Sequence, residues 1–133
     1  MPRVDIDDLE FEDTVVLHDG KLFTGTSVEE WAPGKLRAEQ DWEMGRRHGV
    51  LREYSEDGQL LSEVPYQYGV LHGLGRWWHP NGQLATEKEA RFGTVLSRRE
   101  WNAAGELTGE LKLDENDPLY HDVMKQMERE RRG

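Results

Sequence analysis

His48 and His72 stand 24 residues apart, each directly before a glycine. Side chains that recur in this way, two strands apart, could approach one metal ion. A metal site needs three or four ligands, and the next unit offers only Ser97 at this point. The His-Gly pair reads as part of a structural motif, and no metal or other cofactor is expected. His18 and His79 fall in turns, His121 falls near the C-terminus, and no HExxH-type motif is present.

A second series is acidic: Glu39, Glu63, Glu87 and Glu110. Carboxylates do acid–base work as pairs, one with a raised pKa, at a fixed separation. A glutamate repeated once per unit predicts a ladder instead. Arg52, Arg76 and Arg99 recur on the intervening segments, so cross-strand Glu–Arg pairs are expected. No GxSxG motif occurs, and Gly73-Leu74-Gly75 is too short for a phosphate loop. No catalytic residue is singled out.

The third set is aromatic. Trp42, Tyr66 and Tyr68 alternate along their segments. Tyr54, Trp78 and Trp101 form another row in phase, and Trp77 and His79 flank Trp78. These rows could be the core of a thin sheet. They could also line a concave groove that grips a polypeptide or small ligand, because tryptophan and tyrosine dominate binding hot spots. Trp42, Tyr54, Tyr66, Tyr68, Trp77, Trp78, His79 and Trp101 are the candidate binding residues.

The elements that position these residues repeat. Gly34, Gly58, Gly82 and Gly105 each precede a leucine by two residues: Leu36, Leu60, Leu84 and Leu107. A second glycine series is Gly45, Gly69 and Gly93, and a third is Gly49 and Gly73. A weaker partial copy lies at His18–Leu22, and Trp31 precedes the first full copy. Such periodicity marks a repeat architecture. Within a unit, period-two alternation predicts a first strand carrying Leu60, Ser62, Val64, Tyr66 and Tyr68 on one face. A tight glycine turn follows. A second strand is expected over 48–54, 72–78 and about 96–101. Pro65, inside a strand, suggests a bulge. Turns SEDG, HPNG and NAAG close the units. The result is an antiparallel meander with successive units about 9.5 Å apart.

Both ends differ from the repeats. Residues 1–13 hold six acids against Arg3; either Leu9 and Phe11 pack this segment onto the first strand, or it stays solvated and disordered. At the other end, Asp117 and Pro118 open a helix over 117–133. Its apolar stripe is Leu119, Val123 and Met127. It is expected to cap the last repeat, or to serve as a partner or dimerisation helix.

The fold class is mainly β: a single-layer antiparallel β-meander of repeats over 14–113 with a C-terminal capping α-helix. The chain has 133 residues, no cysteine and a net charge of −10. Disulfides and thiol chemistry are excluded. The charge disfavours nucleic acid and anionic membranes and favours a basic protein partner. The acidic N-terminus has no apolar h-region, and no run is long enough to span a membrane. A cytoplasmic location is expected.

The unit Gly-x-Leu-x-x-Glu, an aromatic, Gly-x-x-x-Gly and a closing aromatic resembles the MORN-repeat variant. More narrowly, it is similar to the bacterial YwqK-type antitoxin family. GQLLSEVPYQYGVLHG at 58–73 is the best copy, and GKLRAEQDWEMGRRHG at 34–49 is close. GQLATEKEARFGTVLS at 82–97 departs at Ala90 and Ser97. The resemblance implies a long curved sheet, no catalytic residues, and an antitoxin or immunity-like module that neutralises or tethers a protein, such as a basic toxin. Two alternatives stand beside it: a small-molecule-binding or biosynthetic enzyme using the groove near Trp77, Trp78 and His79, and a dimerising scaffold.

Overall fold

A computed structural model describes residues 2–132. The chain is mainly β, with one helix at its C-terminal end. Strands β1 (Arg3–Asp5), β2 (Glu10–Glu12), β3 (Val15–His18), β4 (Lys21–Leu22) and β5 (Gly25–Ala32) precede the best-formed repeats. Then come β6 (Lys35–Glu43), β7 (Arg46–Tyr54), β8 (Leu60–Gln67), β9 (Val70–Leu71) and β10 (Gly73–Trp78). Strands β11 (Leu84–Arg91), β12 (Thr94–Trp101) and β13 (Leu107–Lys112) lead to helix α1 (Pro118–Arg132). From β5 to β13 the strands form an antiparallel meander, β9 pairing with β8 alone, and β1 adds to its edge parallel to β5. Strands β2, β3 and β4 make a separate small sheet.

Two turn types alternate. At one edge the hairpins close on Met44-Gly45, Tyr68-Gly69 and Phe92-Gly93, with both residues at positive φ in every case. That is the two-residue turn whose twist matches the strands. Strands therefore resume at once after the glycine, so β7 begins at Arg46 and β12 at Thr94, earlier than the alternation alone suggests. Met44 and Tyr68 are turn residues (φ +49° in both) and not members of a strand face. At the other edge the longer turns repeat one bonding pattern. Gly58, Gly82 and Gly105 donate N–H to the carbonyls of Ser55, His79 and Asn102.

The third glycine series has a different cause. Register across β6 and β7 slips by two residues between Gln40–Leu51 and Trp42–Arg47. The slack is the His48-Gly49 segment, a bulge. The bulge recurs at His72-Gly73, which separates β9 from β10. At Gly73, φ is +123° and a Cβ would stand 2.9 Å from Pro65 Cγ. The bulge foreseen at Pro65 therefore lies on the neighbouring strand. Where Ser97 replaces the glycine, the slip shrinks to one residue.

Units stack through the tight-turn edge. Gly45, Gly69 and Gly93 donate N–H to the carbonyls of Phe23, Arg47 and Leu71, each at 2.8 Å. These acceptors are 24 residues apart and extend the repeat back to Phe23-Thr24-Gly25. Thr24-Gly25 is thus the forerunner of His48-Gly49, and β5 is a strand of an earlier unit that the leucine and glutamate series do not mark.

The main hydrophobic cluster sits at the N-terminal end: Leu9, Val16, Phe23 and Trp42 are buried together, with Val4 against them. The acidic segment is pinned there by Leu9, while Phe11 stays 62% exposed with its ring edge-on to Trp42. At the other end Val123 of α1 is buried, and the helix lies against β12.

Candidate protein-binding surface

Register assigns the glutamates and arginines to one continuous row. Glu39, Arg52, Glu63, Arg76, Glu87, Arg99 and Glu110 are direct partners on successive strands. Arg52 Nε lies 3.0 Å from Glu63, Arg76 Nε 3.1 Å from Glu87, and Arg99 Nε 3.5 Å from Glu110. The hydrogen bond to Glu63 raises the Arg52 guanidinium above its ordinary value, against partial desolvation. Each half-exposed pair contributes little by itself, about 0–1 kcal/mol. The row runs across successive strands and leaves these carboxylates paired with arginines.

Each strand alternates its faces, which divides the candidate aromatics. Tyr54, Trp78 and Trp101 share the face of the Glu–Arg row, and the Tyr54 hydroxyl reaches Glu39 Oε1 at 3.4 Å. Burial, then the Glu39 carboxylate, pushes the Tyr54 phenol up. Trp42, Tyr66 and Trp77 lie on the opposite face. Trp42 is 7% exposed, and its Nε1 donates to Ser27 Oγ at 2.8 Å. The Arg47 guanidinium caps the rings of Trp42 and Tyr66 at 5.9 and 5.3 Å. Trp77 lies across Gly75, where a Cβ would come within 3.0 Å of its ring, and Lys88 Nζ sits 5.2 Å above it. Tyr68 belongs to neither face; it projects from the turn edge, 65% exposed. The eight candidates therefore divide among two faces and two edges and do not meet in one groove.

His79 Nε2 is 2.7 Å from the carbonyl of Trp101, which can only accept, so this nitrogen donates. The contact ties one long turn to the next strand pair, as Trp31 Nε1 does to the Tyr54 carbonyl at 3.0 Å. The other histidines stitch the opposite edge. His72 Nδ1 accepts from Phe92 N–H at 3.0 Å while the rings pack at 4.6 Å. Thr24 Oγ1 accepts from Met44 N–H in the same way, at 2.9 Å. His48 packs on Tyr68 at 5.3 Å and contacts Glu43 at 3.3 Å. Burial, then the Arg91 charge, pushes the His72 imidazole below its ordinary value, partly opposed by Glu130. Among the described residues no group of three or more His, Cys, Asp and Glu side chains could hold a metal ion.

Two hollows lie where the N-terminal segment meets the repeats. The larger, about 440 Å³, is bounded by Phe11, Asp13–Val16, Trp42, Arg46, Arg47 and Tyr68–Val70. The smaller, about 200 Å³, runs between Ile6, Phe11 and the face carrying Trp42, Leu51 and Glu53. Sequence reasoning missed Arg46, Arg47, Phe11 and Val70 as lining residues. The signal for the arginines was the adjacent cation pair directly after the tight-turn glycine.

Outside the repeats, the acids of the first segment stand free. Asp5, Asp7, Asp8, Glu10, Glu12 and Asp13 are all exposed. None of them forms an ion pair among the described residues.

A family model described as the MORN repeat variant matches residues 47–68 and 71–89. The two matched stretches are units of a kind that generally binds protein or membrane lipid. No curated protein and no solved structure matches the chain significantly. Among the described residues no helix is long and apolar enough to cross a membrane.

Proposed function

We propose that this chain is a non-catalytic module that binds a basic protein and neutralises or tethers it, in the manner of an antitoxin or immunity protein. The observation that carries the reading is the unpaired acidic segment, held beside exposed aromatics. Six exposed carboxylates lie on residues 5–13 around Phe11, and Phe11 and Asp13 share the larger hollow with Tyr68. The repeats supply the rigid support. The Glu–Arg row neutralises its own charges, whereas residues 1–13 set six acids against Arg3, a dense local excess of negative charge. Acids around a hydrophobic anchor suit a basic partner: the charge accelerates encounter and the aromatic supplies the desolvated contact.

The remaining histidine and glutamate series support the non-catalytic reading, because each has a structural partner. The test is co-expression with the product of the adjacent gene. The reading expects co-purification and relief of that product's toxicity. Neither outcome with a well-expressed, folded chain would count against it.

A further inference from the structure

The larger hollow differs in charge from the molecule around it. Arg46 and Arg47 both line it, side by side on β7. In a chain with 27 acids and 17 bases, neither arginine forms an ion pair among the described residues. The reason is visible for Arg46: its cross-strand neighbour Glu43 instead contacts His48 at 3.3 Å. Asp13 also borders the hollow and pairs with neither arginine. The other walls include Phe11, Trp42 and Tyr68. Two guanidiniums without a carboxylate partner, Arg47 resting on the rings of Trp42 and Tyr66, in a space of about 440 Å³ with aromatic walls, suit a carboxylate carried on an apolar body.

The fold also shows how a polypeptide seats on this edge. At the preceding turn the chain's own segment does so: Val16 N–H donates to the Gly45 carbonyl at 2.9 Å, and a Cβ at Gly45 would meet Leu22, Val16 and Val15 within 3.1 Å. One unit along, the equivalent space beside Gly69 holds nothing within 4 Å. Gly69 borders the hollow.

We propose that this hollow captures the C-terminal residue of a polypeptide partner, its apolar side chain against Phe11, Trp42 and Tyr68 and its free carboxylate on Arg46 and Arg47. The site rests on the protein-binding reading of the chain. It adds a recognition element of opposite charge to the acidic segment, which would fix the orientation of a basic partner rather than attract it.

The full chain is titrated with three probes: an acetylated tripeptide ending in phenylalanine with a free carboxylate, the same tripeptide amidated, and 3-phenylpropionate. Calorimetry gives the affinities, and amide shifts at Gly69 and Val70 report the place. The free-acid peptide is expected to bind at least about tenfold more tightly than either other probe, a difference of about 1.4 kcal/mol. Arg46→Gln, a change at an exposed position, is expected to abolish that preference without moving the thermal midpoint. Arg47→Lys keeps the charge and is expected to retain part of it. Equal binding of acid and amide, equal binding of 3-phenylpropionate, shifts confined to other residues, or no binding would each overturn the proposal. The titration needs no natural partner, so its failure leaves the co-expression result standing, and a failed co-expression leaves the titration interpretable.

Discussion

His72 could have been a ligand, a base or a spacer, and its bonds decide among these. Its Nδ1 accepts the Phe92 N–H of the next unit's turn, a role only the unprotonated nitrogen can fill. Burial, then the Arg91 charge, disfavours the imidazolium further and holds the folded-state pKa below the ordinary histidine value. A histidine depressed in this way binds fewer protons in the folded than in the unfolded chain. Its contribution is therefore complete above the unfolded value and is lost as pH falls through the folded one. Thermal midpoints measured from about pH 7.5 down to about pH 5 should drop more steeply for the wild type than for His72→Asn, whose side-chain oxygen can accept the same N–H without titrating. Parallel curves would show that His72 does not couple protonation to stability. His79 and Thr24 make similar links between units through different chemistry. A histidine series broken at Ser97 therefore has structural links to make between units.

Elements hold their shape here through close approach of side chains over glycine. Gly75 is a clear case. Its backbone φ is ordinary, yet a Cβ would stand 3.0 and 3.1 Å from two atoms of the Trp77 ring. Gly75→Ala should therefore cost about 1–3 kcal/mol by overpacking, read from denaturant midpoints. In a Trp77→Ala background the cost should largely vanish, and an equal cost in both backgrounds would place the strain elsewhere. At this scale the sequence was most informative. The spacing of Gly34, Gly58, Gly82 and Gly105, with the leucines and glutamates in phase, carries the hairpins, the meander and the Glu–Arg row in the sequence itself. The bulges were not legible, because Gly49 and Gly73 look like ordinary turn glycines until the register of β7 and β8 shows the slip. The position of Tyr68 misled for a related reason: bulky residues at φ near +50° are uncommon, so alternation carried Tyr68 onto a strand face. Strand β5 escaped because its unit keeps Thr24-Gly25 but lacks the leucine and glutamate series.

The whole molecule is a short one-dimensional array closed differently at its two ends. Each hairpin bonds mainly to its neighbours, as in other repeat proteins. The far end carries α1 against β12; the near end carries the small sheet, the buried cluster and the acidic segment. The candidate aromatics were read as two rows, either the core of a thin sheet or the lining of a groove; register sets Tyr54, Trp78 and Trp101 on one face and Trp42, Tyr66 and Trp77 on the other. The hollow that does form depends on residues distant in sequence, Phe11 and Arg46 among them, which no local pattern connects. Net charge, by contrast, was legible as a total but not as a function of structure: the Glu–Arg row neutralises its own charges, while the six acids of residues 5–13 are all exposed and none is in an ion pair among the described residues. If that segment steers a basic partner, the association rate carries the signature, since long-range attraction acts on encounter and is screened by salt. The decisive measurement is the association rate constant with the product of the adjacent gene, at low and high ionic strength. It is made for the wild type and for a chain with Asp5, Asp7, Asp8 and Asp13 changed to Asn and Glu10 and Glu12 changed to Gln. The wild type should associate at least about tenfold faster at low salt, with the difference shrinking as salt rises. Equal rates at low salt, or no complex with either chain, would contradict the account.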